Sequence, residues 1–134
     1  MRKRARAFLC AALCAAGLAV APGPASASAS AAECSVDYDH ICLWADRDYR
    51  TSYGAWAGSV PKLPTKLYAK VSSLKNIMPG AVYFFSGENY NGSFFCINPG
   101  DVDHDLAGRF GDGVTWNDRI RSFQYFPGGF CTLP

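Results

Sequence analysis

The sequence predicts an all-β sandwich of two Greek-key motifs stapled by disulfides, and three observations carry that prediction. Short apolar runs are separated by Gly, Pro, Asn and Asp, with no sustained 3.6-residue periodicity. One pattern is written twice. Ile41-Cys-Leu-Trp44-x4-Tyr49 is echoed by Val82-Tyr-Phe-Phe85-x4-Tyr90, and Leu67-Tyr-Ala-Lys-Val-Ser-Ser-Leu74 by Trp116-Asn-Asp-Arg-Ile-Arg-Ser-Phe123. Four cysteines, Cys34, Cys42, Cys96 and Cys131, lie beyond an N-terminal leader, as befits a small exported domain.

The leader has its own signature. Arg2, Lys3, Arg4 and Arg6 precede an apolar run over 7–20, and small residues then offer cleavage near 27–31. Residues 1–29 therefore read as a secretory signal peptide, leaving one domain over 32–134. Nothing later is long enough to form a membrane-crossing helix, so no membrane anchor is expected. The leader also takes away the basic balance: Lys plus Arg falls from 13 to nine while all 11 Asp and Glu remain, a formal charge of about −2. No basic stripe survives, which argues against nucleic acid as a partner.

Along the domain, motif one spans about 41–77. A strand over 41–45 turns at Asp46-Arg-Asp48 and returns over 51–57. Pro61 and Pro64 make 58–66 a crossing loop, and 71–77 closes the motif. Met78-Pro-Gly-Ala81 marks the seam. Motif two spans about 82–126, with a hairpin over 82–97 whose Asn91-Gly92 predicts a tight type I′ turn. A loop over 98–115 and a strand over 121–126 complete it. Four cysteines allow three pairings. The preferred set joins Cys34 to Cys42, stapling the N-terminus to the first strand, and Cys96 to Cys131, tying the second hairpin to the C-terminus. A zinc–thiolate site is disfavoured because no C-x2-C pair exists.

These residues resemble the βγ-crystallin superfamily. Its motif, aromatic-x4-aromatic-x-Gly followed later by Asn/Asp-Asn/Asp-x-x-Ser/Thr-Ser, is met by Phe85-x4-Tyr90-x-Gly92 and in part by Asn117-Asp-Arg-Ile-Arg-Ser122. Motif one departs from it, with Thr51 where Gly is expected and Tyr68-Ala69 where the acidic pair belongs, although Ser72-Ser73 are in place. Within the superfamily, the cysteine pair before a Cys-Leu-Trp strand and the Trp-Asn-Asp-Arg stretch resemble the secreted actinobacterial peptidase-inhibitor family typified by the Streptomyces metalloproteinase inhibitor. That resemblance implies a rigid extracellular monomer that inhibits a protease, of the metallo class, by blocking the active cleft with a rigid loop.

No catalytic constellation is visible. His40 and His104 sit in polar stretches, and G-x-S-x-G, H-E-x-x-H and a free reactive thiol are all missing from the sequence. Calcium is not required and at most weakly held. One candidate set is Ser72, Asn117 and Asp118, since the superfamily builds such sites from carboxylates, carbonyls and a hydroxyl of both motifs. In the other half Arg121 occupies the oxygen-bearing position and disables it. A second candidate set is Asp101, Asp103, Asp105 and Asp112, whose spacing echoes a calcium loop, but Leu106 replaces its glycine. For inhibition, the exposed loops offer Lys62-Leu63-Pro64 or Gly108-Arg109-Phe110. The alternatives are a calcium-stabilised structural protein and a secreted killer-toxin-like antimicrobial protein.

Overall fold

The computed structural model describes Cys34 and residues 39–132, and the expected leader with its cleavage positions lies outside them. The strands among these residues are β1 (Ile41–Asp46), β2 (Arg50–Trp56), β3 (Ser73–Asn76), β4 (Gly80–Phe85), β5 (Phe94–Ile97), β6 (Val102–Asp103), β7 (Phe110–Gly111), β8 (Val114–Thr115) and β9 (Ser122–Pro127). They pair antiparallel into a sheet of order β2-β1-β3-β6, a sheet of order β5-β4-β9 and a separate β7-β8 hairpin. The architecture is the all-β sandwich that the repeats predict.

The two halves are interleaved across the Met78–Ala81 seam. Strand β6 belongs to the second half, yet it closes the first sheet by pairing Leu74 with Asp103 and Lys75 with Val102. In return, the 58–66 crossing segment reaches the edge of β9, where Val60 and Phe123 exchange backbone hydrogen bonds at 2.9 and 3.0 Å. Each motif thus lends its third segment to the sheet of the other. Buried Asn76 fixes the seam: its amide donates to the carbonyls of Gly80 (2.9 Å) and Asn98 (3.0 Å), and its oxygen accepts from Met78 N–H (3.0 Å).

Period-2 alternation decides which side chains meet between the sheets. Ile41, Leu43 and Leu74 of the first sheet face Val82, Phe84, Ile97 and Phe123 of the second, and Leu63, Leu67, Leu106, Trp116 and Ile120 from the connections close the ends. Phe84 sits between the rings of Phe95 (5.2 Å) and Phe123 (5.6 Å). Full burial of such a side chain contributes about 2–3 kcal/mol. The outer face of the first sheet is buried too, because Cys34 packs with Cys42, Trp44 and Tyr53 in a second cluster.

Both disulfides pair in the preferred way, Cys34 with Cys42 and Cys96 with Cys131. Their separations of 8 and 35 residues correspond, in the chain-entropy account, to about 2.5 and about 4 kcal/mol.

Two turns differ from expectation. Asn91-Gly92 is not a two-residue turn: β4 ends at Phe85 and β5 begins at Phe94, and the intervening chain folds back with Asn89, Tyr90 and Gly92 at positive φ. The reason is a tertiary anchor. The Ser122 hydroxyl donates to the Gly87 carbonyl (2.6 Å) and accepts from Tyr90 N–H (3.1 Å), which selects a folded loop over the tight turn that Asn-Gly favours locally. The 98–115 stretch, expected as plain loop, contains β6, a 3₁₀ turn at Leu106–Gly108 and the β7-β8 hairpin. Its short strands escape a periodicity search because each has only two residues.

Candidate functional site

The β7-β8 hairpin carries exposed apolar side chains on the second half. Asp112 and Gly113 join its strands with φ of 54° and 74°, the pair of left-handed residues that a type I′ turn requires. Phe110 is 70% exposed and Val114 49% exposed, so the hairpin offers two apolar side chains to solvent. Its base and its turn are held from several directions. Trp116 N–H donates to the Arg109 carbonyl (2.8 Å), the Thr115 hydroxyl to the Leu106 carbonyl (2.9 Å), and the Ser93 hydroxyl to the Asp112 carboxylate. Gly111 lies flat on the buried Trp116 indole, and a Cβ there would stand 2.6 Å from Nε1. Arg109 completes the clamp, its Nε 2.7 Å from Asp103 Oδ2 and its guanidinium 4.9 Å from the centre of the Phe95 ring.

The other candidate trio behaves differently. Leu63 is a core residue, 2% exposed, and Leu63 N–H donates to the Arg121 carbonyl at 2.8 Å. The expectation that Lys62-Leu63-Pro64 inserts as a unit is therefore corrected: this segment is sewn to the edge of β9, and only Lys62 and Pro64 reach the surface. Lys62 is itself engaged, with Nζ 3.0 Å from Glu88 Oε1, and Tyr68 donates its hydroxyl to the same oxygen at 2.8 Å. Hydrogen bonds from Lys62 and then Tyr68 hold the Glu88 carboxyl below its ordinary range, and the Glu88 bond raises Lys62 in turn.

The first calcium candidates do come together, but not as a ligand cage. Ser72 Oγ lies 3.5 Å from Asp118 Oδ1, while Asp118 Oδ2 accepts from the Asn117 amide at 2.8 Å. Ser72 and Asn117 line an open cavity of about 520 Å³ with Asp46, Asp48 and Asp105, and Arg47 and Arg50 share that lining. Burial, then the charges of Asp103 and Asp48, push the Tyr49 hydroxyl pKa up. In the second half Arg121 donates to the Ser86 carbonyl at 2.8 Å and lies over Tyr68.

The second metal candidates are kept apart by separate partners. Asp101 accepts from Asn98 N–H (3.0 Å), Asp103 serves Arg109 and Asp105 N–H (3.1 Å), Asp105 caps Ala107 N–H (3.0 Å), and Asp112 faces Ser93. Among the described residues no group of three or more His, Cys, Asp and Glu has a metal-holding arrangement. These four carboxylates are engaged separately and do not converge as the donors of one calcium ion.

The profile of peptidase inhibitor family I36 matches residues 27–97, which is motif one and the first hairpin of motif two. The chain belongs to peptidase inhibitor family I36. Membership places it among inhibitors rather than enzymes. No curated protein sequence matches the chain. Among solved structures, a protein from work on the evolution of the eye lens βγ-crystallin domain fold is 21% identical, with TM-score 0.56, covering 66% of this chain and 86% of that one. A βγ-crystallin from an archaeon matches at 20% and 0.55, over 65% and 96% of the two chains. One from Ciona intestinalis matches at 20% and 0.55, over 65% and 99%. These likenesses establish a βγ-crystallin fold for the I36 chain.

Sequence reasoning named Arg109 and Phe110 but left Val114 and the hairpin itself unread. The signal was available. Asp112-Gly113 between Phe110 and Val114 is as strong a turn signature as Asn91-Gly92.

Proposed function

We propose that this I36 protein is a secreted, monomeric inhibitor of extracellular peptidases, metallopeptidases foremost, and that the β7-β8 hairpin fills the active cleft. The observation that carries the reading is the exposed Phe110 on a hairpin whose turn, base and flanking arginine are all tied down. A loop already fixed in its bound shape loses little conformational entropy on docking, which is how a small rigid protein reaches high affinity. The leader pattern and both disulfides support export. No helix among the described residues is long and apolar enough to cross a membrane. The resemblance to the Streptomyces metalloproteinase inhibitor points to the metallo class.

The test titrates oxidised, leader-free protein into an HExxH zinc endopeptidase, subtilisin and papain. Stoichiometric loss of zinc endopeptidase activity is expected, with Phe110→Gly raising Ki by about ten- to a hundredfold and Lys62→Ala leaving it unchanged. A silent Phe110→Gly beside a damaging Lys62→Ala would move the reactive segment to 58–66. No inhibition of any enzyme would overturn the reading.

A further inference from the structure

The outer faces of the two sheets are equivalent by the internal repeat and are finished in opposite ways. On the first sheet, Cys42 and Trp44 of β1 and Tyr53 of β2 pack with Cys34, which is disulfide-bonded to Cys42, and Trp44 is 3% and Tyr53 6% exposed. Their counterparts on the second sheet are Tyr83 and Phe85 of β4 and Phe94 of β5, an offset of 41 residues in each case. Here the cover is partial: the Cys96–Cys131 disulfide ties the C-terminal segment to β5, Tyr83 and Phe85 stay half-buried, and the far rings are left open. Phe94 is 59% exposed and Phe126 of β9 is 41% exposed.

These rings form a continuous ladder across three strands. Phe85 meets Phe94 at 5.8 Å, Phe94 meets Tyr83 at 5.8 Å, and Tyr83 meets Phe126 at 5.2 Å. The ladder runs directly into the hairpin, because Ser93, the neighbour of Phe94, bonds Asp112 at the hairpin tip. Adjacent aromatic rings presented together to solvent are what protein-binding surfaces are made of, since each buries a large area with few rotors to freeze.

We infer that the ladder of Tyr83, Phe85, Phe94 and Phe126 is the second contact surface for the inhibited peptidase, seating the rim of its cleft while the hairpin enters it. This rests on the inhibitory reading of the hairpin. Area and continuity choose the occupant. A stable complex buries about 800 Å² on each partner from roughly 20–30 residues. The hairpin runs only from Phe110 to Thr115 and cannot supply that alone. The ladder bonded to its turn adds four aromatic side chains contiguous with it.

The experiment compares native protein, Phe110→Gly and the double variant Phe94→Ser/Phe126→Ser against whichever of the three panel enzymes the native protein inhibits most tightly. The double variant removes ring contacts to Tyr83 and Phe85, so its melting temperature should fall by several degrees with the fold retained, and its Ki, measured well below that temperature, should rise about ten- to a hundredfold through faster dissociation. Carbene footprinting of the native complex gives a readout that needs no variant to fold, with Phe94 and Phe126 losing label on binding. An unchanged Ki and full labelling of both rings, while Phe110→Gly still loses inhibition, overturn the ladder and leave the hairpin standing. Absence of inhibition by native protein overturns both. A native dimer that the double variant makes monomeric, seen by sedimentation equilibrium, overturns the inference by giving the face to a second copy.

Discussion

The two motifs share a backbone and differ in the parts that make it comfortable. In each, a serine ties the folded loop of the first hairpin to the closing strand. Ser73 donates to the Asp46 carbonyl (2.7 Å) and accepts from Tyr49 N–H (3.1 Å), and Ser122 does the same for Gly87 and Tyr90. The left-handed positions correspond as well: Asp48 and Tyr49 with Asn89 and Tyr90, Ala69 with Asp118, Thr51 with Gly92. Side chains at those places do not correspond. Glycine serves one half where threonine serves the other, and Arg121 stands opposite Ser72. The geometry of the repeat is therefore held by its serines and aromatic rings, and persists where the other side chains differ.

The largest test of that comparison removes the serines. Both are fully buried, and each satisfies one backbone donor and one acceptor. Ser73→Ala and Ser122→Ala should each cost about 2–3 kcal/mol, since two hydrogen bonds go and two backbone groups are left unpaired. Thermal melting should show Tm lower by about 10 °C or more in each variant. Equal losses would establish that the serines do the same work. A much smaller loss for Ser73→Ala would show that the bond from Asp48 N–H to the His104 carbonyl (2.8 Å) already secures the first loop.

How far the sequence could be read follows from the same contrast. The duplication was legible because it is written in aromatic spacing, and the disulfide pairing because cysteines at the two chain ends have near neighbours in the strands they staple. Lost to local reading were the features that tertiary contacts impose. Asn91-Gly92 promised a tight turn that Ser122, distant in sequence, overrides. Leu63 looked like loop surface between two prolines, yet the segment crosses to β9 and buries it. Strand β6 is two residues long and exists because the first sheet has an edge to close. At the candidate site, Phe110 was named only as part of an exposed loop, and the clamp of Asp103, Ser93 and Trp116 around the hairpin has no sequence signature.

A second test exchanges the unlike residues. Thr51 holds a φ of 61°, where a β-branched side chain is strained by about 1–2 kcal/mol. Glycine relieves the strain but enlarges the unfolded ensemble, which offsets about half of the gain. Thr51→Gly should stabilise by about 0.5–1 kcal/mol, visible as a rise in denaturant midpoint at constant m-value. Gly92→Thr should lose about 1–2 kcal/mol, because it adds the same strain and brings a Cβ within 2.6 Å of Ser86 Oγ. A destabilising Thr51→Gly would show that the first loop depends on the threonine side chain.

The smallest effect separates the halves by pH. Glu88 in the second half bonds Lys62 and Tyr68, whereas its repeat equivalent in the first half is the cation Arg47, paired loosely with Asp48 at 3.7 Å. With its folded pKa held below the ordinary 4.5, Glu88 adds stability that is fully present above that value and disappears as pH falls through the folded pKa. Lys62, shifted upward, contributes below its own ordinary 10.5 and loses its share only as pH rises past the folded value. Between those limits both partners are charged and the pair is intact. Melting of native protein and Glu88→Gln from pH 7 to pH 3 should give two curves a small, constant distance apart that converge below about pH 4.5, and 1 M salt should narrow the gap because the pair faces solvent. Curves that stay parallel to pH 3 would locate the acid sensitivity elsewhere, and would leave the Lys62–Glu88–Tyr68 cluster as a neutral surface feature.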